Sequence, residues 1–346
     1  MLRRINPVRN CFMKRSIIAL IIILFTINIA FGQKRINHFI YFELDRDRIH
    51  DTAFLNNNSI AGAQLKYMWR ELEPAEDNYN LDLIQNDLDF LTSKGKKLFI
   101  QLQDVTFDTI YKPTPDYLIT DKRFNGGVNI KYETNEKDEI LYIDGFVARR
   151  WDKSVAERFN KLLTALGKKF DGKIEGINLP ETSVGFGETG KLYPPGFTPE
   201  AYMDAIREYM AMAKKAFPNS VVILYANFMP GEWLPYDDKS YLKSLFEFAG
   251  REKIGMGGPD IKVYQKGHMN HGYKFLREYT NSITGGVAVQ DGNYEEINPK
   301  TGRRVTVKEI FDFANEYLGL DYIFWCTQEP FYTSEVLPFL RTLILK

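Results

Sequence analysis

The sequence predicts a (β/α)8 barrel forming a single domain, on three observations. Eight short apolar runs recur along the chain, most of them followed by a stretch whose apolar residues are spaced as on one helix face. The runs are nearly continuous in hydrophobicity rather than alternating, which is how parallel strands covered on both faces read. No Gly-rich phosphate loop follows the first run, which weakens the alternative of an open, doubly wound nucleotide-binding sheet.

The N-terminus reads as a targeting segment. Met13-Lys14-Arg15 opens a short cationic region, Ser16 to Ala30 is apolar, and Ala30-Phe31-Gly32 supplies small residues for cleavage. The apolar stretch falls short of the about twenty residues a membrane span needs. Residues 1–32 are therefore expected to be a signal peptide, with Met13 as an alternative start, and 33–346 the catalytic barrel of a secreted or periplasmic protein. Gln33, not Cys, follows the cleavage site, which argues against lipid attachment. Cys11 lies in the leader, so only Cys326 survives processing and no internal disulfide can form.

Strands are expected at His38–Leu44, Ile60–Met68, Lys97–Gln103, Ile174–Asn178, Val221–Asn227, Ile254–Gly257, Gly286–Gln290 and Tyr322–Trp325. The first unit is the weakest, because Asp47–Asn58 holds only a short helix. Leu81, Ile84, Leu88 and Leu91 make the next helix, stopped at Gly95, and Val155, Phe159, Leu162, Leu163 and Leu166 make another before Gly167. Thr198-Pro199-Glu200 reads as an N-cap with Pro at the first helical position, opening a helix to Phe217. Further helices fit Tyr241–Phe248, Tyr273–Tyr279, Val307–Leu318 and Ser334–Leu345. Between Val105 and Trp151, after the third strand, lies a long irregular insertion with a polar run, Lys131–Asp138. It is expected beside the active-site mouth or as a solvated flap.

Basic and acidic side chains balance at 45 each, which argues against nucleic acid and against a polybasic membrane surface as partners. The four His are scattered, with no metal-ligand spacing, and there is neither a Gly-x-Ser-x-Gly elbow nor a P-loop. No metal or cofactor is expected.

In such a barrel the C-terminal strand ends carry the chemistry, and here they are polar. In order they supply Glu43; Gln64 and Lys66 with Trp69 and Arg70; Gln101, Gln103 and Asp104; Asn178 and Glu181; Tyr225 and Asn227 leading to Glu232-Trp233; Asp260; Gln290-Asp291; and Trp325 with Glu329. Burying so many unpaired polar groups would cost several kcal/mol, so they fit a water-filled cleft. Carboxylates to act on the bond, amides for hydroxyls and rings for apolar sugar faces make a carbohydrate site.

Two segments resemble the clan of retaining glycoside hydrolases built on (β/α)8 barrels, clan A. They are Gly62–Trp69 with Leu72-Glu73-Pro74 and Asp77-Asn78-Tyr79-Asn80, and Ile177-Asn178-Leu179-Pro180-Glu181. The resemblance implies a glycosidase with Glu181 as acid/base. The chain departs from the clan's pattern twice. Leu179-Pro180 separates Asn178 from Glu181 where the clan has Asn-Glu, so Pro180 is expected to kink the strand and re-aim Glu181 inward. The seventh strand ends in Gln290-Asp291 where the clan has a nucleophilic Glu.

Retaining hydrolysis needs two carboxyls about 5 Å apart, and inversion a wider gap that holds water. The partner of Glu181 is Asp291 by strand position or Glu329 by residue type, with Asp260 and Glu43 as the remaining carboxylates. Lys66, Trp69, Gln103, Asn178, Tyr225, Asn227, Trp233, Asp260, Gln290 and Trp325 are the candidate substrate contacts. Lys66 or Arg70 would position the attacking carboxylate. The resulting expectation is a glycosidase acting on an oligo- or polysaccharide. The alternatives are a glycan-binding barrel that has lost its nucleophile, and a polysaccharide lyase using Lys66 or a tyrosine as base.

Overall fold

A computed structural model describes residues 35–43 and 45–343, so the proposed signal peptide and Cys11 lie outside the described residues. Eight parallel strands close into a barrel in the order β1-β10-β9-β8-β7-β6-β3-β2. They are β1 (Asn37–Tyr41), β2 (Ile60–Met68), β3 (Lys97–Gln103), β6 (Gly176–Leu179), β7 (Val221–Tyr225), β8 (Gly255–Gly258), β9 (Gly285–Val289) and β10 (Tyr322–Cys326). Each coincides with an expected strand to within a few residues at its ends, and the barrel unit begins at Ile36. Among the described residues no helix is long and apolar enough to cross a membrane.

The helices form where apolar spacing and caps agree. Asp152 accepts from Ser154 N and Val155 N and opens Lys153–Phe170. Thr198 accepts from Ala201 N, with Pro199 at the first position, and opens Pro199–Ala216. Near the C-terminus the regular helices are shorter than expected: Val307–Asp312 passes into a wider π-turn over Phe313–Tyr317, and Tyr332–Val336 is a π-turn ahead of Leu337–Thr342.

The insertion after β3 is not irregular. It carries a short helix, Asp116–Thr120, and an antiparallel ribbon of β4 (Val128–Thr134) and β5 (Ile140–Ala148), so the polar run Lys131–Asp138 spans the end of β4 and the hairpin tip. The ribbon is fastened on two sides. Thr106 N donates to Phe146 O at 2.8 Å and Ala148 N to Asp104 O at 2.9 Å, joining it to the chain beyond β3. Asp138 accepts from Glu188 N at 2.7 Å and Thr189 N at 2.8 Å, joining its tip to the loop after β6.

Inside the barrel the lower layer is aromatic. Phe39, Phe99, Tyr322 and Phe324 meet at centroid distances of 4.9–6.2 Å. Glycines on the facing strands make room: a Cβ on Gly176 would lie 2.5 Å from the Phe99 ring, and one on Gly286 2.7 Å from Ile223 Cδ1. Above this layer the interior turns polar. Gln64 donates to Asn178 Oδ1 at 2.6 Å and to Tyr225 Oη at 3.0 Å, all three buried.

Candidate active site

Glu181 follows β6 at the C-terminal mouth of the barrel. The ladder stops at Leu179, Pro180 cannot extend it, and the Glu181 carboxylate meets Asn227, which follows β7. Asn227 Oδ1 accepts from Phe228 N at 2.9 Å, which orients its NH2 toward Glu181, while the Thr182 hydroxyl donates to Phe228 O at 2.7 Å. That NH2 donates to Glu181 Oε2 at 2.6 Å.

The Glu181 backbone is fixed by a buried arginine. Arg150 pairs with Asp104 at 2.6 Å, both with 1% or less of the side chain exposed. Its Nη1 donates to Glu181 O at 2.7 Å and to Tyr202 Oη at 2.8 Å. Tyr202 in turn donates to Thr182 O at 3.0 Å. One guanidinium thus ties the ends of β3 and β6 and the helix Pro199–Ala216 together.

Burial pushes the Glu181 carboxyl up to about 7, against the pull of Lys131 and with the push of Asp260. The hydrogen bond from Asn227 and the charge of Arg150 act in the lowering direction. A carboxyl poised there holds its proton near neutral pH and can still release it, as a general acid must. Asp260, after β8, is held by Asn293 Nδ2 at 2.7 Å, while Asn293 Oδ1 accepts from Ile261 N at 2.8 Å.

Several expected contacts lie elsewhere. Trp69 and Trp325 are wholly buried and cannot stack a sugar. The Trp69 indole donates to Glu73 at 2.8 Å and packs on Phe159, and the same Glu73 pairs with Arg158. The Trp69-to-Asp77 segment that resembles the glycosidase clan is thus a structural network. Trp325 donates to His38 Nδ1 at 3.2 Å on the outer barrel face, since its neighbour Phe324 points inward. Asn178 and Tyr225 are buried in the barrel interior and hydrogen-bonded to Gln64. Gln103 is 6% exposed with its Oε1 unpartnered.

Asp291 and Glu329 line a cavity of about 380 Å3 with Glu43 and Asp45, and Glu181 is not part of its lining. Asp291 neighbours the Cys326 thiol, and Glu329 is occupied by Thr333 Oγ1 at 2.7 Å and Arg48 at 3.3 Å. Lys66 pairs with Glu43 at 3.2 Å, while Arg70 donates to Lys112 O at 3.0 Å. Gln290 is partly exposed, its backbone N donating to Asn293 Oδ1. Trp233 is 44% exposed and stacks on Phe228, the residue after Asn227. The residues that reading the sequence missed are Lys131 and Arg150; only their places within the insertion hinted at them.

Fold and mouth together define a (β/α)8 barrel with a carboxylate-bearing cleft at the C-terminal strand ends, the layout of barrel enzymes. Solved structures share this fold. A xylanase from Paenibacillus barcinonensis aligns at TM-score 0.52 and 12% identity over 86% of each chain. A GH10 endoxylanase retrieved from a sugarcane soil metagenome aligns at 0.52 and 12% identity over 91% of this chain and 100% of that one. An endo-1,4-beta-xylanase from Caldicellulosiruptor owensensis aligns at 0.51 and 12% identity over 85% of each. No protein-family model matches the sequence, and no curated protein matches it.

Proposed function

We propose that this chain is an exported glycoside hydrolase acting on an oligo- or polysaccharide, with Glu181 as its proton donor. The observation that carries the reading is the Glu181 carboxyl, oriented by Asn227 and raised to about 7 at the barrel mouth. In the reaction the glycosidic C–O bond breaks as Glu181 protonates the departing oxygen. Asp260, the carboxylate whose charge Glu181 feels, takes the second role, either attacking the anomeric carbon or activating water. Product stereochemistry by NMR separates those two. Trp233, with an exposed ring on the loop that carries Asn227, is the aromatic platform. Export rests on the leader pattern of residues 1–32.

Because the fold neighbours are named as xylanases, xylan and xylo-oligosaccharides head the panel to assay. Glu181→Gln is expected to cut the rate on the best substrate by about 100- to 10,000-fold. Full activity in that variant removes Glu181 from the role. A second reading, a glycan-binding barrel without turnover, draws on the seventh barrel strand, whose Asp291 is exposed and faces the Glu43 cavity. Saturable glycan binding by calorimetry with no hydrolysis across the panel selects it. Unsaturated product absorbance would instead indicate a lyase.

A further inference from the structure

The ribbon stands outside the barrel, yet it delivers a lysine to the region of the acid. Its ladder slips at that lysine: Lys131 pairs with Gly145 and Tyr132 with Ile143, leaving Asp144 without a partner across the ribbon. Such a bulge bends a strand and re-aims its side chains. Gly145 takes φ 139°, and a Cβ there would lie 2.3 Å from the Thr106 carbonyl oxygen, so this approach requires glycine.

Lys131 is only 2% exposed as a result. Its Nζ lies 3.2 Å from Asp144 Oδ2, 3.5 Å from Thr106 O and 3.5 Å from the Phe107 ring centroid. On its other side the ribbon abuts the loop that begins at Glu181. Tyr132 N donates to Gly185 O at 2.8 Å, and a Cβ on Gly185 would lie 3.3 Å from Lys131 Cβ. Burying an ammonium is costly unless it is compensated, and Asp144 keeps 30% of its side chain open to water.

Resting on the reading of Glu181 as the acid, we propose that Lys131 is a positioning residue for it, a cation supplied by the ribbon that sets the pH at which Glu181 gives up its proton. The charges that act most strongly on Glu181 are Lys131 from the ribbon, Asp260 after β8 and Arg150 after the ribbon. Arg150 is neutralised by Asp104, and Tyr202 and Asn227 are uncharged neighbours. Lys131 divides its charge between Asp144 and Glu181, so removing either partner acts on the other.

The test is the titration of the Glu181 side-chain carboxyl by 13C NMR, its signal assigned by loss in Glu181→Gln, read beside the pH profile of kcat/KM. Lys131→Met is expected to move the midpoint up by about 1 pH unit, the direction expected for loss of an opposite charge acting on a carboxyl. Lys131→Arg keeps the midpoint of the parent protein, and Asp144→Asn lowers it. An unmoved midpoint in Lys131→Met, or an equal rise in Lys131→Arg, overturns the proposal. Should Lys131→Met fail to fold, an unmoved midpoint in Asp144→Asn does the same. If the NMR midpoint moves and the pH-rate limb does not, Lys131 acts as proposed while the catalytic reading of Glu181 fails.

Discussion

At the scale of single residues, Glu181 costs the fold stability once pH rises past neutral. Its carboxyl is raised from the ordinary 4.5 to about 7. The unfolded chain therefore releases that proton first as pH climbs, and the stabilising contribution, full below about pH 4.5, is lost by the time pH passes 7. Glu181→Gln, which cannot ionise, is expected to be more stable than the parent protein by about 3 kcal/mol at pH 8 and equal to it near pH 4. Urea unfolding at the two pH values checks this, and a difference independent of pH would contradict it. His271 works in the opposite sense. Its Nε2 accepts from Leu234 N at 2.9 Å while Nδ1 donates to Gly267 O at 2.8 Å, which requires the neutral ring. Burial lowers its pKa accordingly, so its contribution is present above the ordinary value of 6.5 and is lost as pH falls below it.

Among elements, the ribbon is the one that reading the sequence failed to see. Ile140, Leu141, Tyr142 and Ile143 are all exposed, so neither an alternating nor a buried pattern marks β5. Bulges at Lys131/Tyr132 and Glu133/Thr134 break the period further. What holds the tip is Asp138, whose carboxylate takes two backbone N–H groups and the Thr189 hydroxyl. Asp138→Asn keeps a residue that tolerates its φ of 58° but replaces one acceptor with a donor. Hydrogen exchange at the Glu188 and Thr189 amides is expected to speed up about tenfold, equivalent to about 1.4 kcal/mol of lost local protection, with the barrel strands unaffected. Uniform loss of protection across β2 and β3 would show that the clamp is not local.

For the whole molecule, the eight barrel strands were legible because they are covered on both faces, which keeps each run apolar. Which residue of a run points inward was not legible. Phe324 and Trp325 are adjacent aromatics, and closure alone turns the first into the lumen and the second onto His38. Likewise Trp69 lies in a short helix after β2, Trp69–Leu72, and turns to Glu73 rather than to the cleft. That Glu181 lies at the barrel mouth was legible from its strand position, whereas the places of Lys131 and Arg150 depend on tertiary approach across the insertion. The amide layer reflects the same closure, since Gln64, Asn178 and Tyr225 converge from β2, β6 and β7. Gln64→Leu strands two buried polar groups and is expected to cost about 1–3 kcal/mol in denaturant unfolding. A neutral outcome would mean that Asn178 and Tyr225 find each other without it.

The ribbon leaves and rejoins the barrel at nearly one point, with Arg149 N donating to Gly127 O at 3.0 Å across its base. A segment with adjacent ends can be gained, lost or exchanged in one recombination event while the eight strands still close. Glu181 belongs to the barrel and Lys131 to the insert, so a change of hairpin replaces the second without touching the first. With Lys131 acting on Glu181 as proposed, trading that one hairpin would shift the pH at which Glu181 titrates while the eight strands stay as they are.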